Sequence, residues 1–278
     1  MPDSPFETKA LDDVSLTVAD GEFLGIIGHT GSGKSTLIAY MNALERAEEG
    51  HVFVDGVDAG AKNTDCGAIR RRVGLVFQYP EYQLFEETVA RDIAFGPRSL
   101  GLDEKEIDRR VTRAMELTGL ETRLREESPF SLSGGQKRRV AIAGVLAMEP
   151  SVLILDEPAA GLDPAGRRSM LDMIARIHQN GTTVVMVSHS MDDVGAYCSR
   201  LIVLSKGKIA FEGTPREVFA HGEELRGIGL DVPECATLAD ALREKGFAIP
   251  EGVYTRDELA EAIHGNLDGD GGNTCLKT

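Results

Sequence analysis

The stretch Gly28-His29-Thr30-Gly31-Ser32-Gly33-Lys34-Ser35 decides the fold of this chain. It has the pattern G-x-x-x-x-G-K-[S/T], and it stands between an apolar run at 23–27 and a second one at 36–41. A strand, a glycine-rich loop and a helix in this order form the context in which the pattern holds phosphate groups. The sequence therefore predicts an α/β fold in which a buried strand leads into a phosphate-binding loop.

Residues 28–36, here called the cradle, are suited to bind a polyanion. The glycines allow successive N–H groups to point inward, and the following helix adds the positive end of its dipole. Lys34 is predicted to reach the β- and γ-phosphates of a nucleotide, and Ser35 to offer its hydroxyl to Mg²⁺. The pattern alone also fits a glycine-rich turn that caps an ordinary helix. The predicted nucleotide-binding residues of the cradle are Gly28, His29, Thr30, Gly31, Ser32, Gly33, Lys34, Ser35 and Thr36.

Composition restricts the partners of the chain. Its 278 residues carry a formal net charge of −15, which disfavours non-specific binding to nucleic acid or to an anionic membrane surface. The four cysteines are scattered without a C-x-x-C pair, so reduced thiols in a cytosolic protein are expected rather than disulfides or a zinc site. They are Cys66, Cys198, Cys235 and Cys275.

Membrane association is expected to come only through a partner. The first residues lack the basic and apolar regions of a secretory signal. The longest apolar stretch, at 140–148, is far shorter than the roughly 20 residues that a membrane-spanning helix needs.

The first half of the chain alternates between strand and helix patterns. Alternating apolar residues at 10–18 predict a half-buried strand, and 51–54 predict another, whereas 58–69 are expected to form a loop. The apolar run at 73–77 predicts a strand with Gln78 at its carboxyl end, where α/β sheets place ligand-binding groups. Helical spacing and high charge follow from 89 to 124 and indicate a helical insert.

A second segment suited to anions is Leu132-Ser133-Gly134-Gly135-Gln136, followed by a helix predicted at 137–148. Ser-Gly-Gly at the start of a helix presents free N–H groups and a positive dipole end. A capped helix start without any ligand is the simpler interpretation of these five residues taken alone.

Polar side chains follow two further apolar strands. The run at 152–155 indicates burial on both faces of a parallel sheet, and it ends in Asp156 and Glu157. Asp156 is predicted to bind in the Mg²⁺ shell and Glu157 to polarise a water that attacks the γ-phosphate, with helix capping as the alternative. His189 follows the strand predicted at 182–187, and beside a phosphate loop it is predicted to contact the γ-phosphate.

The last part of the chain differs in character. Runs at 201–204 and 208–211 predict a closing hairpin. Two helices are expected beyond it, one beginning at Thr237 and one at Thr255, where Thr255-Arg256-Asp257-Glu258 fits a capping box. Residues 268–272 are expected to be disordered.

The ordered set of cradle, Gln78, LSGGQ at 132–136, Asp156-Glu157, Gly161-Leu162-Asp163 and His189 resembles the ATP-binding cassette (ABC) ATPases. The resemblance covers residues 8–215. It implies a P-loop NTPase (RecA-like) core with an antiparallel β subdomain and a helical signature subdomain at 88–145. Residues 216–264 are then a helical extension for dimerisation, and 265–278 a flexible tail.

Further segments resemble the ATPases of energy-coupling factor (ECF) transporters, and the second of their two types most. They are Phe77-Gln78-Tyr79-Pro80-Glu81-Tyr82-Gln83-Leu84-Phe85, 92–97, 136–143 and 229–233. This resemblance implies import of vitamins or transition-metal ions by two ATPases, which form a homodimer or heterodimer, with a transmembrane coupling subunit and a substrate-binding membrane subunit. It places the chain at the cytoplasmic face of the cell membrane and implies no nucleic-acid partner.

The family resemblance also assigns roles. The cradle binds ATP, while Ser35, Gln78 and Asp156 surround Mg²⁺. Glu157 is the general base, and His189 holds the γ-phosphate. The signature contacts the nucleotide that the other ATPase binds, through Ser133, Gly134, Gly135 and Gln136.

The chain departs from the family pattern at its beginning. An aromatic residue upstream of residue 10 usually stacks on adenine in this family, and here either Phe6 takes that role or the true start lies further upstream. Ala159 and Ser131 also replace the family's common Thr and Glu, at positions that the chemistry does not require. Two other functions remain open at this point: a soluble ABC protein that acts on the ribosome or nucleic acid, and a scaffold that does not hydrolyse ATP.

Overall fold

A computed structural model describes residues 9–269. The predictions for Phe6, Cys275 and residues 270–272 lie outside this range. Within it, the strands are β1 Phe23–Ile27, β2 Phe53–Val54, β3 Val57–Asp58, β4 Val73–Val76, β5 Val152–Asp156, β6 Thr183–Val187, β7 Arg200–Ser205 and β8 Lys208–Gly213. The helices are α1 Lys34–Met41, α2 Cys66–Arg72, α3 Val89–Ser99, α4 Glu104–Thr118, α5 Gly134–Leu146, α6 Pro164–Gln179, α7 Met191–Tyr197, α8 Pro215–Phe219, α9 Gly222–Gly227, α10 Glu234–Glu244 and α11 Arg256–Gly269.

A six-stranded sheet with the order β4-β5-β6-β1-β7-β8 forms the centre of the fold. The first five strands are parallel, and β8 pairs antiparallel to β7 in the predicted hairpin. All five residues of β1 and of β6 are buried, because helices and apolar side chains cover both faces of the sheet. The predicted α/β class is confirmed.

The strand register brings the predicted site residues to one edge of the sheet. Ile26 lies beside Val187 on β6, and Asp156 of β5 pairs with that same Val187. The residues that follow these strands are Gly28, Glu157 and Ser188, so the carboxyl ends of β1, β5 and β6 meet there. This is the edge at which parallel α/β sheets bind ligands.

The helical insert follows the sequence prediction for 89–124. Helices α3, α4 and α5 pack against one another and bury an apolar face shared with the sheet. Helix α5 begins at Gly134, three residues before the predicted start, because the Ser133 side chain caps it.

The predicted strand at 10–18 is wrong. Leu11, Val14, Leu16 and Val18 are half-buried against the smaller core cluster, as their alternation predicts. No strand assignment covers this segment, and no ladder joins it to another strand within residues 9–269. Alternation decides which side chains face the core, but a strand also requires a hydrogen-bonded neighbour.

The expected loop at 58–69 is also partly wrong. It contains the last residue of β3 and the start of α2, where the Asp65 side chain accepts a hydrogen bond from the N–H of Gly67 at 2.8 Å. The helix is only seven residues long, and its cap and arginine-rich last turn stabilise it more than any apolar periodicity does.

The segment after β8 is helical, as expected, but it has more helices than the sequence indicated. Helix α10 begins at Glu234 rather than Thr237, directly after Pro233. The capping box at Thr255 is confirmed, because Thr255 Oγ1 accepts from the N–H of Glu258 and the Glu258 carboxylate accepts from the N–H of Thr255. In the part of the chain that the structure describes, no helix has the length and apolar character needed to cross a membrane.

Candidate functional site

The cradle needs glycine at two positions because other atoms leave no room for a Cβ. At Gly28 a Cβ would overlap the carbonyl oxygen of Leu204 and lie 2.5 Å from Ser32 Oγ. At Gly33, where φ is +106°, it would overlap the carbonyl oxygen of Ala10. These contacts hold the loop against the rest of the protein, and the opposite side of the loop remains accessible to a ligand.

Lys34 lies inside the cradle with only 8% of its surface exposed. Its ammonium donates hydrogen bonds to the carbonyl oxygens of Gly28 at 2.6 Å and His29 at 2.9 Å. Burial lowers the pKa of Lys34, against the attraction of Glu157 and Asp156. A phosphate group in the cradle would supply a negative charge to this buried ammonium, whose attraction to Glu157 and Asp156 does not offset the effect of burial.

The cradle also contains a polar atom without a partner. Ser32 is completely buried, and its Oγ makes no hydrogen bond. An orphaned buried hydroxyl is costly and fits a loop built to surround an anion. Ser35 is exposed and Thr36 half-buried at the start of α1, so both hydroxyls are accessible to a nucleotide and its cation.

The two acids at the end of β5, Asp156 within the strand and Glu157 directly after it, lie at the same edge of the sheet as the cradle. Burial raises the pKa of Asp156, while the Lys34 charge opposes that rise. Glu157 has φ of +51°, a left-handed conformation, and its N–H donates to the carbonyl oxygen of Val187 at 3.0 Å. The β5–β6 ladder thus continues into the turn that places the Glu157 side chain.

Glu157 has the environment of a general base. Its Oε1 lies 3.1 Å from His189 Nε2 but accepts no hydrogen bond, and the side chain is only 12% exposed. Burial raises its pKa to about 7, with the Asp156 charge adding to the rise and a hydrogen bond from the His189 backbone opposing it. A carboxyl group with a pKa near the working pH is ionised in much of the protein and is also basic enough to accept a proton.

His189 lies on the solvent side of this group. Burial lowers the pKa of its imidazole, and the charge of Lys34 adds to the effect. The neutral ring has one N–H donor and one acceptor nitrogen. The structure therefore brings the cradle, Asp156, Glu157 and His189 together at the carboxyl edge of the sheet, as predicted.

Cation binding at this edge would need oxygen ligands in addition to those of the protein, from a nucleotide or from water. Between residues 9 and 269, no group of three or more His, Cys, Asp and Glu side chains is arranged to hold a metal ion. The Ser35 hydroxyl, the Asp156 carboxylate and the Gln78 amide are oxygen donors, and Gln78 is exposed just after β4. Mg²⁺ takes few protein ligands when phosphates supply the others, so this donor set fits that ion with ATP.

The signature segment is a capped helix start that remains open to solvent. Ser133 Oγ accepts from the N–H of Gln136 at 3.3 Å, and Gln136 Oε1 accepts from the N–H of Ser133 at 3.0 Å. A Cβ on Gly134 or Gly135 would meet nothing within 4 Å. No hydrogen bond or ion pair among the described residues joins this segment to the cradle of the same chain.

One buried residue beside the site was not assigned a role from the sequence. Arg138 is 2% exposed on α5, and its guanidinium contacts Glu81 and the loop that follows Glu157. Arg138 is the fifth residue of α5, and its helical spacing from Ile142 and Leu146, which are also buried, is the signal that could have identified it.

Known proteins are similar to this chain in sequence and in fold. A family model described as ABC transporter matches residues 11–160. The energy-coupling factor transporter ATP-binding protein EcfA2 of Symbiobacterium thermophilum is 58% identical over 268 residues, 96% of this chain and 93% of the relative. CbiO1 of Clostridium perfringens, described as part of the ABC transporter complex cbiONQ, has a TM-score of 0.72 at 38% identity, over 83% of this chain and 92% of that one.

A further solved structure is the ATP-binding cassette MJ0796, a dimer in a post-hydrolysis state bound to ADP and Pi. It has a TM-score of 0.65 at 30% identity and covers 75% of this chain and 91% of that chain. The fold and site together define an ATP-binding cassette, so the chain is an ATP-binding protein. Within that class, the chain belongs to the ATP-binding subunits of energy-coupling factor transporters.

The buried carboxyl of Glu157 makes folding stability depend on pH in a way that can be measured. Its pKa is about 7 in the folded chain against an ordinary 4.5, so the folded state holds the proton more tightly. The resulting stability is present below pH 4.5 and is lost as pH rises through 7. We expect wild-type protein to lose about 2 kcal/mol more unfolding free energy than Glu157→Gln between pH 5 and pH 8.

Denaturant unfolding of both proteins at the two pH values checks this prediction. Equal losses of unfolding free energy in wild type and Glu157→Gln would mean that the pKa of Glu157 is close to its ordinary value.

Proposed function

We propose that this chain is the ATP-hydrolysing subunit of an energy-coupling factor importer and powers uptake of a vitamin or a transition-metal ion. The observation that carries the proposal is Glu157, a buried carboxyl with a pKa of about 7 next to a phosphate cradle. Family membership supports the same activity. A non-hydrolytic scaffold has no need of a base in this position.

Each group at the carboxyl edge has a proposed task. The cradle N–H groups and Lys34 hold the phosphates of ATP. Ser35, Gln78 and Asp156 hold Mg²⁺, which neutralises charge on the phosphate oxygens when bound. Glu157 accepts a proton from the attacking water, and His189 contacts the γ-phosphate through its ring N–H.

We further propose that the complete site forms between two ATPase subunits. The signature segment is exposed and separate from the cradle of its own chain, and its N–H groups are free to contact phosphate bound elsewhere. The related cassette MJ0796 is a dimer bound to ADP and Pi. The helices at 216–264 are proposed to contribute to this pairing, whether the second ATPase is identical or different.

A surface next to Gln78 supports a membrane partner. Four exposed aromatic side chains form a surface that is here called the aromatic patch. Three of them follow β4 in the chain, and the fourth lies on α3. Phe85 and Phe95 pack edge to face at 5.0 Å, and the Asp92 carboxylate accepts from the N–H groups of Phe85 and Glu86 at 3.0 Å each. The aromatic patch consists of Tyr79 (41% exposed), Tyr82 (84%), Phe85 (56%) and Phe95 (54%).

Exposed aromatic groups on a fixed loop are typical of protein interfaces. We propose that the aromatic patch contacts the transmembrane coupling subunit. This would place the chain at the cytoplasmic face of the membrane, with a separate membrane subunit that binds the cargo.

The aromatic patch gives a direct test of the membrane partner. Capture with a tagged full-length chain from detergent-solubilised membranes is expected to recover membrane proteins, and Phe85→Ser should reduce that recovery about tenfold because interface aromatics carry much of the binding energy. Phe53→Ser is the matched control, since Phe53 is 59% exposed and lies on the β2–β3 hairpin, outside the aromatic patch. Quantitative mass spectrometry of the captured proteins provides the measurement.

Recovery of ribosomes or nucleic acid in place of membrane proteins would contradict the importer and favour a soluble ABC protein. Equal losses for Phe85→Ser and Phe53→Ser would show that the aromatic patch is not the contact.

A further inference from the structure

Arg138 connects three segments that have separate tasks in the proposed mechanism. It lies on α5, five residues after Ser133. Its guanidinium donates to the Glu81 carboxylate through Nε at 3.0 Å and Nη2 at 2.7 Å. Nη1 donates to the carbonyl oxygens of Pro158 at 3.0 Å and Ala160 at 2.7 Å.

The guanidinium also contacts the aromatic patch. Its central carbon lies 5.7 Å from the centre of the Tyr79 ring, the residue directly after Gln78. Tyr79 has φ of +54°, and a short 3-10 turn at Pro80–Gln83 follows it and presents Glu81 to Arg138. The segment from Gln78 to Phe85 is therefore fixed at one end by Arg138 and at the other by Asp92.

Both side chains of the Arg138–Glu81 ion pair are largely buried. The Arg138 side chain is 3% exposed and that of Glu81 15%, so neither charge is well solvated without the other. Burial disfavours the charged form of Glu81, but the hydrogen bonds from Arg138 hold the pKa of its carboxyl below the ordinary value. A planar guanidinium is the side chain that can meet a carboxylate with two bonds and still reach two carbonyl groups.

We propose that Arg138 is a positioning residue that links movement of the aromatic patch to the loop after Glu157 and to the signature helix. The inference rests on the proposed function, and it concerns regulation of the same site. When a membrane subunit moves residues 79–85, Glu81 moves Arg138, which in turn displaces Pro158 and Ala160 immediately after the catalytic base. ATP bound in the cradle acts in the opposite direction through the same four contacts.

The simplest alternative is that Arg138 only holds the helical insert against the sheet. The contacts argue for more, because its donors go to the loop after Glu157 and to the 79–85 turn rather than to a static part of the core. The pair Arg200–Glu22 provides the comparison. Arg200 donates to Glu22 through Nε at 2.6 Å and Nη2 at 3.1 Å and also to the carbonyl of Thr17, at the amino end of the sheet.

The first experiment uses the isolated full-length chain. The sequence has no tryptophan, so Tyr79→Trp creates a single tryptophan, which can be excited apart from the tyrosines and keeps an aromatic face over Arg138. We expect Mg-ATP to change the emission of this variant, and Arg138→Lys to reduce the change about fivefold while the ATP dissociation constant from calorimetry stays within about twofold.

The second experiment uses the complex captured from membranes by the tagged chain. Arg138→Lys is expected to lower kcat for ATP about tenfold with KM within about twofold, because binding is retained and alignment is lost. Glu81→Gln should act in the same direction and guards against misfolding of a single variant. Arg200→Lys is expected to leave kcat within about twofold of wild type, although both arginine variants lower the melting temperature.

The outcomes separate the inference from the function on which it rests. The positioning role is overturned if the emission change persists in Arg138→Lys. It is also overturned if kcat in Arg138→Lys and Glu81→Gln matches kcat in Arg200→Lys. Either result leaves the importer function intact. A wild-type chain that does not bind ATP, or a wild-type complex that does not hydrolyse it, overturns the proposed function and the positioning role with it.

Discussion

Replacing Glu157 by glutamine is expected to lower kcat for ATP hydrolysis by the captured complex at least about 100-fold, while ATP binding is retained. Glutamine has nearly the same shape but cannot accept a proton from water. Because Lys34 and the cradle are unchanged, the variant should hold ATP without hydrolysing it and accumulate as an ATP-bound dimer of ATPase subunits. A steady-state phosphate-release assay measures the turnover, and size-exclusion chromatography with Mg-ATP measures the dimer.

A matched control separates the chemistry from the burial of a charge. Glu22 is 11% exposed and Glu157 12%, but Glu22 lies at the amino end of the sheet and pairs with Arg200. Glu22→Gln should therefore reduce stability and leave kcat within about threefold of wild type. Undiminished turnover in Glu157→Gln would exclude Glu157 as the base.

The fold was predictable where burial on two faces left a simple pattern. Strands β1, β5 and β6 consist mainly of apolar residues, and each leads into residues with an obvious chemical use. Chain order and the carboxyl-edge rule for parallel sheets were then enough to expect Gly28, Glu157 and His189 together.

The errors occurred where hydrophobic periodicity does not decide the local structure. The alternation at 10–18 predicted which side chains are half-buried against the core but not the absence of a paired neighbour strand. Helix α2 depends on the Asp65 cap within a segment of low apolar content. The role of Arg138 depends on residues 57 and 22 positions away in the sequence, and only the folded chain reveals such contacts.

The electrostatics of the site was equally hidden from the sequence. Two adjacent acids after a strand are visible in any printed chain, but the pKa of about 7 at Glu157 results from burial and from the charge of Asp156. The orphaned hydroxyl of Ser32 likewise appears only when the cradle is folded. The motifs predicted which side chains lie together at the site. The structure shows which of these side chains are poorly solvated.

Gly134→Asp is expected to reduce ATP turnover of the captured complex about tenfold without weakening ATP binding by the isolated chain. A side chain at Gly134 meets nothing within 4 Å in this chain, and an acid in the first turn of α5 interacts favourably with the helix dipole. The melting temperature should therefore stay the same or rise. The loss of turnover would come entirely from a carboxylate that faces phosphate bound by the second ATPase.

Gly56→Asp is the control, because Gly56 is likewise open to solvent and lies in the β2–β3 turn, outside both the signature and the helices at 216–264. It should leave turnover within about twofold of wild type, since it places no charge near a nucleotide. Thermal melting and ATP calorimetry on the isolated chain, with phosphate release from the complex, distinguish the cases. If Gly134→Asp weakened ATP binding by the isolated chain, the signature would belong to the chain's own nucleotide site, and the two-subunit arrangement would be wrong. If binding and turnover were both unchanged, no phosphate would approach the start of α5 during the reaction.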